Sequence, residues 1–169
     1  MAKEFIDFDS NLISHLEVLR NQFVESKNYF GALCLIQLLL EVDLKFTIGI
    51  LLPPDERFDA KGKYWNSNES SIYLSQLTDY YELLDGNSTL IKNLREFNTL
   101  RNNIIHNAIK KFNSPQALER ELEKVVNIGQ NLHNIFYTNL PILSNPQNRD
   151  DLLVSILTNR YKKGSNIVP

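Results

Sequence analysis

Apolar residues recur every three to four positions along most of the chain, which is the spacing that places them on one face of an α-helix. The first such stretch begins near Ser10, whose hydroxyl suits a helix N-cap, and ends near Lys27. Its apolar face consists of Leu12, Leu16, Leu19 and Phe23. We therefore expect an amphipathic first helix with one packed side.

The second stretch, at about 29–51, is apolar on almost every side and stops at Pro53 and Pro54. Its length is close to that of a membrane span. Polar residues nevertheless interrupt it within three turns, at Gln37, Glu41, Asp43 and Lys45. The pattern favours a helix at the centre of a soluble bundle.

Three further long helices are predicted, at about 69–84, 88–111 and 114–140. Asn87 or Ser88 suits the cap of the fourth helix, and Ser114 followed by Pro115 suits the start of the fifth. A short helix is expected near 150–161, and no segment shows the alternation of a strand.

These elements predict an all-α fold, an antiparallel bundle of about five helices with a short C-terminal helix. We divide the chain into a helical bundle at 1–143 and a segment at 144–169 that holds a linker, the short helix and a basic tail. With 169 residues, 43% of them hydrophobic, the bundle can bury a substantial core.

The net charge, the cysteine content and the N-terminal residues indicate which ligands and which compartment the protein suits. The net charge of -2 argues against a protein that coats nucleic acid nonspecifically, although a local basic site stays possible. The single cysteine, Cys34, excludes an intramolecular disulfide, and its apolar surroundings predict a buried thiol in a reducing compartment. The acidic N-terminus lacks the apolar core of a secretory signal, so we expect a cytoplasmic protein.

Arg101 occupies the middle of the apolar face of the fourth helix. A turn of 100° per residue places apolar side chains within about 60° of it, namely Leu94, Phe97, Ile104, Ile105, Ala108 and Phe112. An arginine keeps its charge, so its burial requires a carboxylate, a phosphate or a solvated cleft. One interpretation is a structural ion pair with Glu41 or Asp43 of the second helix, and the other is an anionic substrate.

The run containing Arg101, Asn102 and His106 has the form Arg-Asn-x-x-x-His. This motif, late in a helical domain of this size, resembles the HEPN superfamily, the higher-eukaryote and prokaryote nucleotide-binding domains. The second helix is also similar, because Glu41, Asp43 and Lys45 follow an apolar run there. The resemblance covers about residues 9–140.

The resemblance implies a metal-independent endoribonuclease of a toxin or defence system, which acts on RNA as a homodimer. His106 would be the general base that takes the proton from a ribose 2′-hydroxyl. Arg101 would stabilise the charge on the phosphoryl oxygens, and Asn102 would position the ring or the phosphate. Arg101 and His106 diverge by about 140° around one helix, so the site would combine two copies. We expect no cofactor and no metal, since the histidines and the cysteine lack ligand spacing.

Lys110 and Lys111 extend the motif helix and would guide an RNA backbone, although cations are also favoured at any helix C-terminus. Family members regulated by a nucleotidyltransferase-type antitoxin carry a tyrosine two residues after the histidine, where this chain has Ala108. Such an antitoxin is a further candidate partner, but inhibitory AMP transfer to that tyrosine has no acceptor here.

Two alternatives stand beside the ribonuclease hypothesis. One is a non-catalytic helical module for dimerisation or partner binding, in which His106 is simply a solvent-facing polar residue. The other, nucleotide binding without cleavage, follows only from the name of the superfamily. His15 and His133 lie on other helices with no ligand pattern nearby, and the sequence assigns them no function.

Overall fold

The computed structural model describes residues 10–51, 73–84 and 87–144, and nearly all of them are helical. Five helices follow one another in the chain: α1 (Ser10–Glu25), α2 (Tyr29–Leu51), α3 (Leu74–Leu83), α4 (Ser88–Lys111) and α5 (Pro115–Ser144). No strand occurs in these three segments. The prediction of an all-α bundle is confirmed, while the predicted helix at 150–161 lies outside the described residues.

Helix α2 lies at the centre of the bundle and contacts α1, α3 and α5. Its side chains include several with no solvent exposure: Ala32, Leu33, Ile36, Leu39, Leu40 and Leu44. Helix α4 completes the bundle by packing against α3 and α5. Within the described part of the chain, none of the helices combines the length and apolar character needed to cross a membrane.

Side chains and backbone turns fix the helix ends. The Asn87 side chain accepts a hydrogen bond from the Leu90 N–H at 3.0 Å, so Asn87 rather than Ser88 caps α4. The Ser114 hydroxyl accepts from the Ala117 N–H at 3.2 Å and begins α5 as predicted. At the end of α1, Lys27 takes a left-handed conformation with φ of 57°. That turn leads directly into α2 and makes the two helices antiparallel neighbours.

Two helix boundaries differ from the predicted ones. Tyr73 is extended, and its N–H donates to the Gln76 side chain at 3.0 Å, so α3 begins at Leu74, and residues 69–72 of the predicted helix lie outside the described residues. Helix α5 continues through Pro141 to Ser144. Proline has a helical φ, which is compatible with this continuation, although it lacks the N–H that a helix interior normally uses.

A glycine allows the close approach of α5 to its neighbours. A β-carbon at Gly129 would clash with the Ile36 side chain of α2 and would lie 2.6 Å from Cε2 of Phe97 on α4. Phe97 is fully buried, so its ring has little room to move away. Gly129 therefore marks the point where three helices meet.

Two expectations about burial were wrong. Cys34 is exposed, as are Phe30 and Leu38, which lie four residues before and after it on α2. These three residues share the side of α2 that points away from its helical neighbours, so α2 is not covered all round. In α1, Leu12 is 56% exposed and does not belong to the packed face, whereas Leu16, Leu19 and Phe23 are partly buried as the amphipathic pattern predicted.

Candidate functional site

Arg101 lies on the core-facing side of α4, and its side chain is half-buried near the buried residues Phe97 and Ile104. Its Nη1 atom donates a hydrogen bond to Oδ1 of Asn102 at 2.7 Å. Its Nε atom is buried and has no hydrogen-bond partner among the described residues. The structure thus brings Arg101 and Asn102 together and leaves the buried Nε donor of Arg101 without an acceptor among the described residues.

The expected ion pair between Arg101 and an acid of α2 is absent from the described structure. Glu41 accepts a hydrogen bond from Nε2 of Gln37 at 2.9 Å, and Asp43 lies against His133. Both acids therefore have other partners. The physical reason is the packing order: α4 makes its main contacts with α3 and α5, so Arg101 is not placed beside the acids of α2.

An unneutralised guanidinium at the edge of an apolar core has a clear chemical consequence. A buried N–H without an acceptor destabilises the protein by the lost solvation of that group. An anion that reached the guanidinium would offset this loss and would meet a planar fork of donors suited to a phosphate. Arg101 is therefore chemically suited to receive an anionic ligand.

His106 is exposed on α4, one turn beyond Arg101, and Lys110 and Lys111 are exposed in the last turn. The structure shows no hydrogen bond between His106 and Arg101, whose described partner is Asn102. Lys111 Nζ lies 5.9 Å from the centre of the Phe112 ring. Within one chain, then, the predicted site residues form one pair, Arg101 with Asn102, and three separate exposed groups.

A second polar cluster lies between α1, α2 and α5, and its central imidazole is almost inaccessible to solvent. The imidazole of His133 is 4% exposed and lies between two carboxylates. Its Nδ1 is 2.6 Å from Oδ2 of Asp43, and its Nε2 is 3.1 Å from Oε1 of Glu17. Arg20 acts electrostatically on both His133 and Asp43, and its Nη1 is buried without a hydrogen-bond partner among the described residues.

The proton affinities of this cluster reflect its burial and its charges. Burial lowers the pKa of His133, but its hydrogen bonds to Asp43 and Glu17 and the charge of Asp43 outweigh burial and raise that pKa above 6.5. Burial raises the pKa of Asp43 above its ordinary value, against the opposing effect of His133. Both directions mean that the folded protein holds protons here more firmly than the unfolded chain.

The cluster is unsuited to a metal ion because the two carboxylates lie at opposite nitrogens of one ring. Their oxygens cannot converge on a single point with the imidazole between them. Across the described residues, no group of three or more His, Cys, Asp or Glu side chains has the arrangement of a metal site.

No function was predicted for His133, and Asp43 was expected only as an alternative to Glu41 in one of the two interpretations of Arg101. A usable signal was present on α5, where His133 lies on the same face as Val126, Gly129 and Phe136, at spacings of three and four. A histidine in an apolar stripe is buried and needs a partner. Asp43, an acid within the most apolar helix, needs a hydrogen-bond donor when it is buried.

Comparisons of the chain with protein-family models, with curated proteins and with solved structures each returned no match.

Proposed function

We propose that the chain is a HEPN-like endoribonuclease that cleaves RNA without a metal at a site formed by Arg101, Asn102 and His106. One observation carries the proposal: the guanidinium of Arg101 is half-buried on an apolar face, has a buried unpaired donor, and has no carboxylate beside it in the described residues. A permanent charge in that position has no carboxylate partner among the described residues, and an RNA phosphate would neutralise it.

The proposed reaction follows from the chemistry of the three side chains. His106 accepts the proton of a ribose 2′-hydroxyl, and the oxygen forms a bond to the adjacent phosphorus. The bond from phosphorus to the 5′-oxygen breaks, and that oxygen takes up a proton. The products are a 2′,3′-cyclic phosphate and a 5′-hydroxyl end. Arg101 stabilises the charge on the phosphoryl oxygens, and Asn102 holds the guanidinium through its 2.7 Å hydrogen bond.

The proposed site combines two copies of the chain. Positions 101 and 106 diverge by about 140° on one helix, so one helix alone does not present both side chains to the same phosphate. In a two-fold dimer with the α4 helices facing each other, Arg101 of one copy would lie near His106 of the other. Ile105, which is half-buried, would lie in that interface. Lys110 and Lys111 are exposed beside it and would contact the RNA backbone.

The experiment is RNA cleavage by purified protein in the presence of EDTA, with His106→Ala as the test variant. General base catalysis contributes about a hundredfold or more, so His106→Ala should lose at least that factor. His15→Ala is the matched control, since His15 is also an exposed helical histidine. Wild-type protein that leaves a broad panel of single-stranded and structured RNAs intact would overturn the proposal, as would dependence on added magnesium.

The second candidate is a non-catalytic interaction module, which would dimerise or bind another protein. The exposed apolar residues Phe30 and Leu38 on α2 favour it, since large exposed apolar side chains on one helix side are typical of a contact surface. Substitution of both Phe30 and Leu38 by serine distinguishes the module hypothesis from the ribonuclease hypothesis. The module hypothesis predicts loss of self-association or partner binding, whereas the ribonuclease hypothesis predicts that cleavage persists.

A further inference from the structure

The Glu17–His133–Asp43 cluster has a definite proton requirement. Both ring nitrogens of His133 face a carboxylate oxygen, at 2.6 and 3.1 Å. A neutral imidazole has one N–H and can satisfy only one of these contacts. The other contact would then bring two lone pairs together. The observed geometry therefore needs one more proton than a neutral histidine between two ionised acids provides.

The cluster also determines which contact fails when that proton is lost. Asp43 is almost buried, at 9% side-chain exposure, so its carboxylate cannot find water in place of the His133 N–H. Glu17 is 29% exposed and can be solvated without leaving the surface. The remaining N–H of His133 therefore stays with Asp43. The contact that breaks is the one between Glu17 and His133, which joins α1 to α5.

Helix α1 packs on α2 through side chains that are only partly buried, among them Leu16, Leu19 and Phe23. No described side chain from residue 12 to 25 is buried, and the main packing partner of α1 is α2 alone. Its C-terminal end is held firmly, because the Phe23 ring packs over Gly31 and the Asn28 N–H donates to the Phe23 carbonyl at 2.7 Å. Glu17 lies almost two turns before this anchor. The part of α1 before this anchor rests on α2 through partly buried side chains, and its described polar contact with α5 is the one between Glu17 and His133.

We propose that the Glu17–His133–Asp43 cluster is a proton-dependent latch, which holds the N-terminal part of α1 on the bundle while His133 is doubly protonated and releases it when one proton leaves. Release is a local opening about the turn between α1 and α2, and α2 to α5 stay folded. This inference does not depend on RNA cleavage, since none of its residues belongs to the Arg101 site.

The charged groups around His133 set the direction of the switch. Asp43 from α2 and Glu17 from α1 favour the imidazolium, whereas Arg20 from α1 opposes it, and Tyr137 contributes a ring 6.5 Å away on α5 itself. The net effect raises the pKa of His133 above 6.5. The latch is therefore closed in mildly acidic solution and opens as the pH rises through that raised pKa.

Hydrogen exchange of the intact chain tests the latch. Protection factors of amides in α1 and α4 are compared between pH 6 and pH 9. A protection factor is already corrected for the intrinsic pH dependence of exchange. We expect α1 protection to fall about tenfold or more relative to α4, the equilibrium effect of losing one charge-assisted hydrogen bond. Glu17→Gln should abolish this pH response, because an amide can accept from an N–H or donate to a bare ring nitrogen. Glu25→Gln, an exposed acid of the same helix, is the control and should behave as wild type.

A second measurement does not rely on variants. Nitrogen-15 chemical shifts of His133 report its protonation directly, and we expect a doubly protonated ring that titrates above 6.5. Titration below 6.5 would overturn the latch. An equal pH response of α1 in wild type and Glu17→Gln would also overturn it, as would simultaneous loss of protection in α1 and α4.

Discussion

Nδ1 of His133 on α5 lies 2.6 Å from Oδ2 of Asp43 on α2, and both side chains are buried where these two helices pack. The two residues are 90 positions apart in the chain. Between them they form a buried acid–base pair in the middle of an otherwise apolar contact. Such a pair contributes little net stability compared with apolar residues, but it makes each partner depend on the other.

Because each partner depends on the other, substitutions of the two residues should change the free energy of unfolding in a strongly non-additive way. His133→Leu leaves the Asp43 carboxylate buried without its donor and should reduce the free energy of unfolding by about 3 kcal/mol or more. Asp43→Leu should have a comparable effect on a stranded imidazole. The double variant removes both polar groups and should recover most of the loss. Urea unfolding of the four proteins measures the coupling, and additive losses would show that the pair does not act as a unit.

The same pair predicts a pH dependence of stability. The folded-state pKa of His133 is raised above 6.5, so its stabilising contribution is complete below that value and is lost as the pH rises through the raised pKa. Burial also raises the pKa of Asp43 above 3.8. This shift likewise makes the folded protein less stable as the pH rises. The unfolding free energy of wild type minus that of the His133→Leu/Asp43→Leu double variant should therefore decrease from pH 5 to pH 9. An increase over this range would contradict the assigned directions.

Gly129 predicts a steric effect at the helix junction. In Gly129→Ala, the new methyl group would meet Ile36 and the fully buried ring of Phe97, so we expect a loss of about 2 kcal/mol in unfolding free energy. Gly31→Ala is the control, because its methyl would meet the half-buried ring of Phe23 at the edge of the bundle, at 2.8 Å. Thermal unfolding should show the smaller loss for Gly31→Ala. Equal losses would mean that the junction can relax.

Some of these features were predictable from the sequence, and the reason differs from feature to feature. The periodicity of apolar residues predicted five helices and the central place of α2, because burial of an apolar face is decided mostly within one helix. The partner of Asp43 was not predictable in this way, since two helices that both carry charged groups allow several pairings. The packing order of the helices decides between Arg101 and His133. The exposure of Cys34 has the same origin: periodicity describes the faces of α2 but not how many neighbours cover them.

Arg101 allows a prediction that separates stability from function. Because no carboxylate depends on it in the described residues, Arg101→Met should change the unfolding free energy by less than about 1 kcal/mol, or increase it, since a buried unpaired donor is removed. Cleavage of RNA should nevertheless be lost if Arg101 stabilises the phosphoryl charge. The measurements are urea unfolding and an RNA cleavage assay on the same preparation. A loss of several kcal/mol would reveal a structural role and weaken the proposal for this residue.

The composite site predicts recovery of activity when two inactive variants are mixed. Arg101→Ala and His106→Ala would each lack one half of every site in their own homodimers. After equal mixing and subunit exchange, half of the dimers would contain one copy of each variant, and one of the two sites in such a dimer would have both an intact Arg101 and an intact His106. Cleavage should therefore return to about a quarter of the wild-type rate. The double variant Arg101→Ala/His106→Ala mixed with wild type is the control for subunit exchange, since each mixed dimer then has no intact composite site. Light scattering that shows a monomer, or exchanged mixtures that stay inactive, would exclude a site shared between two copies.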